Sequence, residues 1–285
     1  MVGTVALALA VTAQTPAVRW DMPFADALEM TGPGHGPAAR GIRWEKHFQH
    51  ALKKARAARK PLLVDFWAEW CGWCHRLDQT TYVDPTVVKL AEGFVAVKVD
   101  TEDQGKGTVT AVRYDVTSLP TIAFLSPHGR PLMRVNGFQG PGQFPRTLEA
   151  AKEVAHRVMA WEDALDRDPE DPAALSALGT HLFEQDAYNE SRDLLSRAIE
   201  QDARRPLDER KRNRLLLGAV EKADQRYGEA EAFLKQGLAL GGSSPEYDAK
   251  MLYVLGKLYA ATGRPDQART ALQKVVSTYD QTAIV

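Results

Sequence analysis

Cysteine is scarce in this chain: its 285 residues contain only two, Cys71 and Cys74, with Gly72 and Trp73 between them. Without a third cysteine, no disulfide outside this pair can cross-link the chain. A zinc site usually takes four ligands, and no second Cys-X-X-Cys segment supplies the other two, so zinc is the weaker alternative. We therefore expect the pair to be redox-active, and we expect no metal.

Two further shortages narrow the class of protein. The formal net charge is -1, which leaves no basic excess to attract nucleic acid. The apolar run near the N-terminus, Val5–Val11, is too short to span a bilayer. With 44% hydrophobic and 26% charged residues, the composition is that of a globular chain long enough for two domains. We expect no nucleic-acid partner and no stable membrane insertion.

Positive charge is missing from the N-terminus, where the first Lys or Arg is Arg19. Residues 1–13 otherwise have the form of a signal peptide, with an apolar core and a small-residue cleavage pattern at Val11-Thr12-Ala13. We therefore predict a periplasmic or secreted protein, and a cytoplasmic location is the alternative. Residues 14–41, which are dense in Gly and Pro near 31–37, are predicted to form a leader.

The two cysteines follow a predicted strand and open a predicted helix. Leu62–Trp67 is a short apolar run typical of a buried strand, and Arg76–Gln79 has the residues of a first helical turn. A helix N-terminus carries free amide groups and the positive end of the helix dipole, and both favour an anion. A sulfur placed there is therefore more acidic than a free thiol and ionises at neutral pH.

Helical and strand patterns alternate around this segment. Spacings of three and four residues predict a helix between Trp44 and Ala58, and Asp84-Pro85 predicts the capped start of another. The remaining expected elements are a strand over 94–100, a short helix near 112–114, a strand ending at 125, a returning strand over 131–135 and a helix over 144–159. This order predicts an α/β fold, with a mixed sheet covered by helices on both faces.

Several separated motifs resemble those of the thioredoxins. The stretch Val64–Cys74 is similar to their active-site segment, and Leu119-Pro120-Thr121 is similar to their cis-proline loop. The variant Trp-Cys-Gly-Trp-Cys-His, with Trp44 before it and Asp84-Pro85 behind, more closely resembles the thioredoxin-like domains of bacterial extracytoplasmic thiol-disulfide proteins. The resemblance implies a thioredoxin-like domain over residues 42–160.

The resemblance also implies a role for each matched residue. Cys71, at an exposed helix tip, would be the attacking thiolate, and Cys74, buried one turn further on, would resolve the mixed disulfide. Asp65 would be a buried carboxylate that exchanges a proton with Cys74, with a pKa raised by burial. Pro120, if its peptide bond is cis, would bring backbone beside the sulfurs for an extended substrate to pair with.

A docking groove and a tuning residue complete the expected site. The resemblance implies that the groove residues are Trp70, Gly72, Trp73, Leu119, Pro120 and Gly137, and that His75 modulates Cys71. Thioredoxins carry Gly-Pro between their cysteines, whereas this chain has Gly72-Trp73. The buried lysine of thioredoxins has no counterpart at the same spacing, although Lys98 lies two positions along on the same strand face. We expect no cofactor.

The C-terminal part of the chain repeats a small-residue pattern. Gly179, Gly218 and Gly256 lie 39 and 38 residues apart in similar Leu-Gly contexts, against 34 residues in the usual tetratricopeptide unit. The pattern resembles tetratricopeptide repeats and predicts an all-α domain over 173–285. An acidic, proline-marked linker is predicted over 161–172. The repeats would dock a protein partner, or would serve only as a stability module or dimer interface.

Taken together, the motifs predict a thiol-disulfide oxidoreductase that acts on protein disulfides. Its partners would be protein substrates and a redox partner that recharges the cysteine pair. Two alternatives stay open. One is a scaffold whose thioredoxin-like domain only binds, and the other is a c-type haem protein, because Cys71–His75 also spells the Cys-X-X-Cys-His attachment motif. The sequence does not determine whether the pair acts as reductant or oxidant.

Overall fold

A computed structural model describes residues 41–279. The predicted signal peptide and nearly all of the predicted leader lie outside the described residues. Four strands form the described sheet: β1 (Leu62–Trp67), β2 (Val95–Asp100), β3 (Thr121–Leu125) and β4 (Pro131–Asn136). Their order is β2-β1-β3-β4; β1 pairs with β2 in parallel, and the β1–β3 and β3–β4 pairs are antiparallel. The predicted mixed sheet is confirmed.

Helices cover the sheet, and others follow it in the chain. In chain order they are α1 (Phe48–Ala58), α2 (Gly72–Arg76), a π-helical turn (Leu77–Thr81), α3 (Pro85–Ala91), α4 (Gly107–Arg113), α5 (Phe144–Arg167), α6 (Pro172–Glu184), α7 (Tyr188–Glu200), a 3-10 turn (Asp202–Arg204), α8 (Leu207–Ala223), α9 (Tyr227–Ala239), α10 (Pro245–Ala261) and α11 (Pro265–Tyr279). Among the described helices, none combines the length and apolar character that crossing a membrane requires.

Local sequence explains where these elements begin and end. Arg59 adopts a left-handed conformation at the end of α1, shortly before Pro61. The Asp84 carboxylate accepts hydrogen bonds from the amides of Thr86 and Val87, which confirms the predicted cap of α3. These signals act over a few residues, so the pattern of the sequence was sufficient to find them.

Strand β1 separates two apolar layers. Leu62, Val64 and Phe66 pack with α1 on one face. Leu63 points to the opposite face, toward a core that contains residues of α3 and α5. Because side chains alternate along a strand, Asp65 lies on the same face as Leu63. Strand β1 therefore places the Asp65 carboxylate in the apolar layer beneath the cysteine segment.

Helix α5 is longer than the sequence predicted. It continues to Arg167, so residues 161–167, which were expected to be linker, are helical. The reason is packing, because Trp161 and Leu165 lie partly buried against the core that contains Leu178 of α6. Pro169 and Pro172 follow the helix and mark the turn into α6. The division into two domains near residue 160 stays a prediction.

The C-terminal helices form three pairs, α6 with α7, α8 with α9 and α10 with α11. A Cβ atom built at Gly179, Gly218 or Gly256 would lie 2.9, 2.7 and 2.7 Å from a leucine of the paired helix. Cβ atoms essentially never come that close to another heavy atom, so the glycines allow the helices to cross closely. The helical-repeat architecture is confirmed.

Candidate active site

The cysteine segment connects the end of β1 to the start of α2. Cys71 has an extended conformation and caps α2, and its Sγ accepts a hydrogen bond from the Cys74 amide at 3.2 Å. The two cysteines are joined by a disulfide, with their Cα atoms 5.3 Å apart. The described state is therefore the oxidised one. The predicted proximity of the two sulfurs at a helix N-terminus is confirmed.

The exposure of Cys71 differs from the prediction. Cys71 is only 3% exposed, and Cys74 is fully buried. The expectation of an exposed sulfur tip is thus wrong for the oxidised protein, because the bond to Cys74 holds the Cys71 sulfur against a buried partner. The neighbouring tryptophans are exposed instead, Trp70 by 69% and Trp73 by 57%.

The two exposed tryptophans are held by residues that sequence reasoning missed. The Trp70 indole donates a hydrogen bond to the Glu102 carboxylate at 2.7 Å. The Trp73 ring lies 5.4 Å from that of Phe138, and the Arg76 guanidinium lies 5.7 Å from both rings. Phe138 directly follows the predicted groove residue Gly137, and this position was the only feature of the sequence that could have pointed to Phe138 as a site residue. Its contact with Trp73 depends on how β4 is placed.

The proline loop contains a cis Leu119–Pro120 peptide bond, as the resemblance implied. The Gly137 amide donates a hydrogen bond to the Pro120 carbonyl at 2.8 Å. Gly137 has a φ of 91°, in the region that favours glycine. Two of the predicted groove residues, Pro120 and Gly137, are therefore in direct contact. That they contact a substrate stays a prediction.

His75 contacts the backbone before the cysteines. Its Nε2 lies 2.6 Å from the Glu69 carbonyl oxygen and therefore donates the proton of this hydrogen bond. Its ring lies edge-on to that of Trp67, with 6.3 Å between the ring centroids. The imidazole thus ties α2 to the loop that carries Cys71. Its modulation of Cys71 stays a prediction.

Asp65 is fully buried and faces Lys98 across the β1–β2 ladder. The Lys98 Nζ lies 2.9 Å from Asp65 Oδ2 and 2.7 Å from Asp78 Oδ1. Burial raises the pKa of Asp65, and the nearby Lys98 ammonium opposes that rise without cancelling it. A buried carboxylate with a raised pKa is suited to exchange protons near neutral pH.

The described residues hold no group of three or more His, Cys, Asp and Glu side chains placed to bind a metal ion. While Cys71 and Cys74 are joined in a disulfide, neither is a free thiol that could form a thioether bond to haem. The end of β1 instead brings together the disulfide at the start of α2 and the cis-proline loop, because Phe66 pairs with Thr121.

Comparison with known proteins identifies this arrangement. Residues 48–152 match a family model described as a thioredoxin-like domain, and residues 211–281 match one described as a tetratricopeptide repeat. A thioredoxin-like protein of Synechocystis is 31% identical over 105 residues, which cover 37% of this chain and 94% of that protein. The chain belongs to the thioredoxin-like family.

Other relatives in the family are similar over the same part of the chain. The thiol:disulfide interchange protein DsbD of Vibrio vulnificus is 33% identical over 106 residues, 36% of this chain but only 18% of that protein. The chloroplastic thioredoxin Y of rice, Oryza sativa, is 36% identical over 108 residues, 38% of this chain and 59% of that protein. A solved thioredoxin from Thermus thermophilus is 28% identical. The match covers 40% of this chain and 90% of that thioredoxin, with a TM-score of 0.37.

Proposed function

We propose that this protein is a thiol-disulfide oxidoreductase that acts on disulfides of other proteins. The observation that carries the proposal is the Cys71–Cys74 disulfide at the start of α2, with the buried carboxylate of Asp65 on the strand that leads into it. The names of the curated relatives, thiol:disulfide interchange protein and thioredoxin, support the same chemistry. The chain spans less than a fifth of the first of these relatives, so its substrates are part of the proposal.

In the reducing direction, the Cys71 thiolate attacks a substrate disulfide and forms a mixed disulfide, and one substrate sulfur leaves as a thiolate. Cys74 then loses its proton to Asp65, attacks Cys71 Sγ and releases the second substrate thiolate. The substrate disulfide gains two electrons, and the cysteine pair loses two as its own disulfide forms. A redox partner then reduces the Cys71–Cys74 disulfide and restores the two thiols. The reverse sequence oxidises a substrate dithiol.

Trapping of the mixed disulfide tests the roles of the two cysteines. The reduced Cys74→Ala protein should accumulate a covalent adduct with insulin or with a model disulfide substrate, visible on non-reducing electrophoresis, because the resolving thiol is gone. Cys71→Ser should abolish disulfide reduction. The double variant Cys71→Ser/Cys74→Ala is the matched control and should form no adduct. An active Cys71→Ser protein would contradict the proposal and would favour a scaffold role.

We also propose that the helical repeats dock a partner through an inner stripe. In the middle of each first helix of a pair, the residues that are not buried follow one line and are spaced three or four apart. We define the inner stripe by these partly or fully exposed residues: Ala177 and Thr180 on α6, Arg212, Leu216 and Ala219 on α8, and Lys250, Tyr253, Val254 and Lys257 on α10.

The inner stripe carries three cations, Arg212, Lys250 and Lys257, and the acidic residues Glu209 and Glu246 lie one turn before it on α8 and α10. Arg212 on α8 also donates a hydrogen bond to Ser176 of α6 at 3.0 Å, so the two helices lie side by side. Lys250 is paired with Glu246 at 2.7 Å, whereas Lys257 lies 5.5 Å from the centroid of the Tyr253 ring. Cations set among small and aromatic side chains fit an extended peptide that carries acidic residues.

Binding of a labelled glutamate-rich peptide tests the inner stripe, with a lysine-rich peptide of equal length as the reference. The acidic peptide should bind in a salt-dependent way, and Lys257→Glu should weaken it at least about tenfold, since like charges oppose docking. Lys274→Glu makes the same charge change on an exposed position of α11 and should have little effect. Equal losses in both variants would contradict docking on the inner stripe.

A periplasmic or secreted location is likewise a proposal. Its support is the pattern of residues 1–13, which lie outside the described residues. Fractionation of cells that express the full chain, with N-terminal sequencing of the product, tests both the location and the cleavage after Ala13.

A further inference from the structure

A cation lies beside two aromatic rings at one edge of the predicted docking groove. Arg76 ends α2, and its guanidinium carbon lies 5.7 Å from the ring centroids of both Trp73 and Phe138. The centroids of the two rings are 5.4 Å apart. The rings come from different elements, because Trp73 is on α2 and Phe138 follows β4. Arg76 therefore contacts both the cysteine segment and the loop that leads into α5.

Backbone contacts fix the loop that carries Phe138. The Gly137 amide donates a hydrogen bond to the Pro120 carbonyl at 2.8 Å, and the Thr81 hydroxyl donates one to the Gln139 carbonyl at 2.8 Å. The residues on both sides of Phe138 are thus held, one by the proline loop and the other by the π-helical turn that follows α2. The Phe138 ring is therefore kept in place beside the guanidinium.

The Arg76 guanidinium has no anionic partner among the described residues. It forms no ion pair there, whereas the Asp78 carboxylate two residues later is paired with Lys98 at 2.7 Å. The loop and helix start over residues 137–148 contain no Asp or Glu. A cation beside ring faces keeps its charge, and a planar guanidinium presents several N–H donors to a carboxylate. Arg76, which is partly exposed, is therefore available to bind an acidic group from outside.

The two sides of the cysteine pair differ in charge. On one side, the Trp70 indole donates a hydrogen bond to the exposed Glu102 carboxylate at 2.7 Å. On the other side, Trp73 lies beside the guanidinium of Arg76. Since like charges repel and opposite charges attract, an acidic side chain of a substrate is disfavoured beside Trp70 and favoured beside Trp73. The site therefore distinguishes the charge of the residues that flank a substrate cysteine.

We propose that Arg76 is a specificity-determining residue that binds an Asp or Glu side chain close to the reacting cysteine of a protein substrate. This inference rests on the oxidoreductase proposed above and names a feature of its substrates. While Cys71 forms the mixed disulfide with the substrate, the guanidinium pairs with the nearby carboxylate and holds the substrate at the edge formed by Trp73 and Phe138. The ion pair adds no step to the exchange of sulfurs.

Peptides with one cysteine, blocked as a mixed disulfide with thionitrobenzoate, test this preference. In the reduced full-length protein, Cys71 attacks the peptide sulfur and the coloured thionitrobenzoate leaves as a thiolate. Cys74 then forms the protein disulfide and releases the peptide thiolate. Peptides of equal length carry Glu, Gln or Lys either two residues before the cysteine or two residues after it. The second-order rate constant of colour release is measured for each peptide.

The wild-type protein should prefer the acidic peptide in one of the two placements, the one that reaches Arg76. There the Glu peptide should react about threefold faster than the Gln peptide, the size expected for a partly exposed ion pair, and the Lys peptide should react more slowly than both. Added salt should reduce this advantage, because it screens exposed charges.

Variants assign the preference to Arg76. Arg76→Gln should abolish the difference between the Glu and Gln peptides, and Arg76→Glu should make the Lys peptide the fastest in the same placement. Rates are compared as ratios within each variant, so a changed reactivity of Cys71 cancels. Arg113→Gln is the matched control, because Arg113 is exposed on α4 and its guanidinium carbon lies 5.6 Å from the ring centroid of Tyr114. It should keep the wild-type ratio.

The outcomes separate this inference from the proposed function. A wild-type protein that releases no thionitrobenzoate from any peptide contradicts the oxidoreductase itself. If the peptides react but Glu gives no advantage in either placement, or if Arg76→Gln keeps the advantage, the inference is wrong and the proposed function stands. An equal loss in Arg113→Gln would assign the preference to net charge and would also overturn the inference. If Arg76→Gln does not fold, the preference of Arg76→Glu decides.

Discussion

At the scale of single residues, the site combines the buried carboxyl group of Asp65 with two partly exposed neighbours, Lys98 and Asp78. Asp65 has no contact with water, and its ion pair with Lys98 only partly offsets the cost of burial, so its pKa is raised. The identity of Asp65 as the buried acid could be predicted from its place in an apolar strand. The sharing of Lys98 with Asp78 could not, because it depends on the parallel register of β1 and β2.

The raised pKa of Asp65 predicts a specific pH dependence of stability. At pH 8 the unfolded chain holds Asp65 ionised in water, whereas the folded protein must bury that charge or keep a proton, so folding is disfavoured. Below the unfolded value near 3.8, both states are protonated and the penalty is absent. Asp65→Asn should therefore be more stable than wild type at pH 8, and this gain should shrink as the pH falls toward 4.

Urea denaturation of the oxidised proteins at pH 8 and pH 4 checks this prediction. Asp166→Asn, on the exposed side of α5, is the matched control and should show no pH-dependent gain. An Asp65→Asn protein that is less stable than wild type at pH 8 would show that the pairing with Lys98 outweighs the cost of burial.

At the scale of elements, the repeat helices depend on close crossings. A Cβ at Gly218 would lie 2.7 Å from Leu234 Cγ and 3.2 Å from the carbonyl oxygen of Ala230, so at least one buried group would have to move. The glycine pattern of the sequence was enough to predict the helical repeats, and the structure shows the close crossings. The end of α5 was not predicted, since residues 161–167 stay helical through packing against α6, which is a contact between elements.

Replacement of Gly218 separates helix propensity from packing. Gly218→Ala should lower the unfolding free energy by about 1–3 kcal/mol, the usual cost of overpacking, although alanine favours the helix itself. Gly228→Ala, at an exposed position of α9 with open space around its Cβ, should instead be neutral or stabilise by up to about 1 kcal/mol. Chemical denaturation of both variants measures the difference. A stabilised Gly218→Ala protein would mean that the α8–α9 pair can separate at little cost.

At the scale of the whole described molecule, the sheet and the first repeat share one core. The core that contains Leu63 of β1 also contains Leu175, Leu178 and Leu182 of α6. Polar contacts add to it, since the His181 Nε2–H on α6 donates a hydrogen bond to the Pro131 carbonyl of β4 at 3.0 Å. The redox site and the first repeat therefore belong to one structural unit.

His181 makes this junction sensitive to acid. Burial lowers the pKa of His181, so the folded protein holds it neutral while the unfolded chain takes up a proton near the ordinary value of 6.5. The contribution of His181 to stability is thus present above pH 6.5 and is lost as the pH falls below it. Wild type should lose more stability between pH 7 and pH 5 than His181→Gln, which keeps an N–H donor but does not ionise.

Denaturation at both pH values, followed by tryptophan fluorescence and by circular dichroism, measures this effect. His156→Gln, at an exposed position of α5, is the control and should keep the wild-type pH dependence. Coincident transitions by the two probes would agree with one cooperative unit. Equal pH dependence of wild type and His181→Gln would contradict a role for this contact in the junction.

The sequence by itself determined the chemistry and the local elements of this protein: the cysteine pair, the strand before it, the proline loop, the cap at Asp84 and the glycine repeats. Each depends on residue type and spacing over a short stretch of chain. Tertiary structure alone decided the burial of Cys71, the contact of Trp73 with Phe138, the length of α5 and the position of Lys98 between two acids. These features arise where distant segments meet, and periodicity along the chain does not encode which side chains then come together.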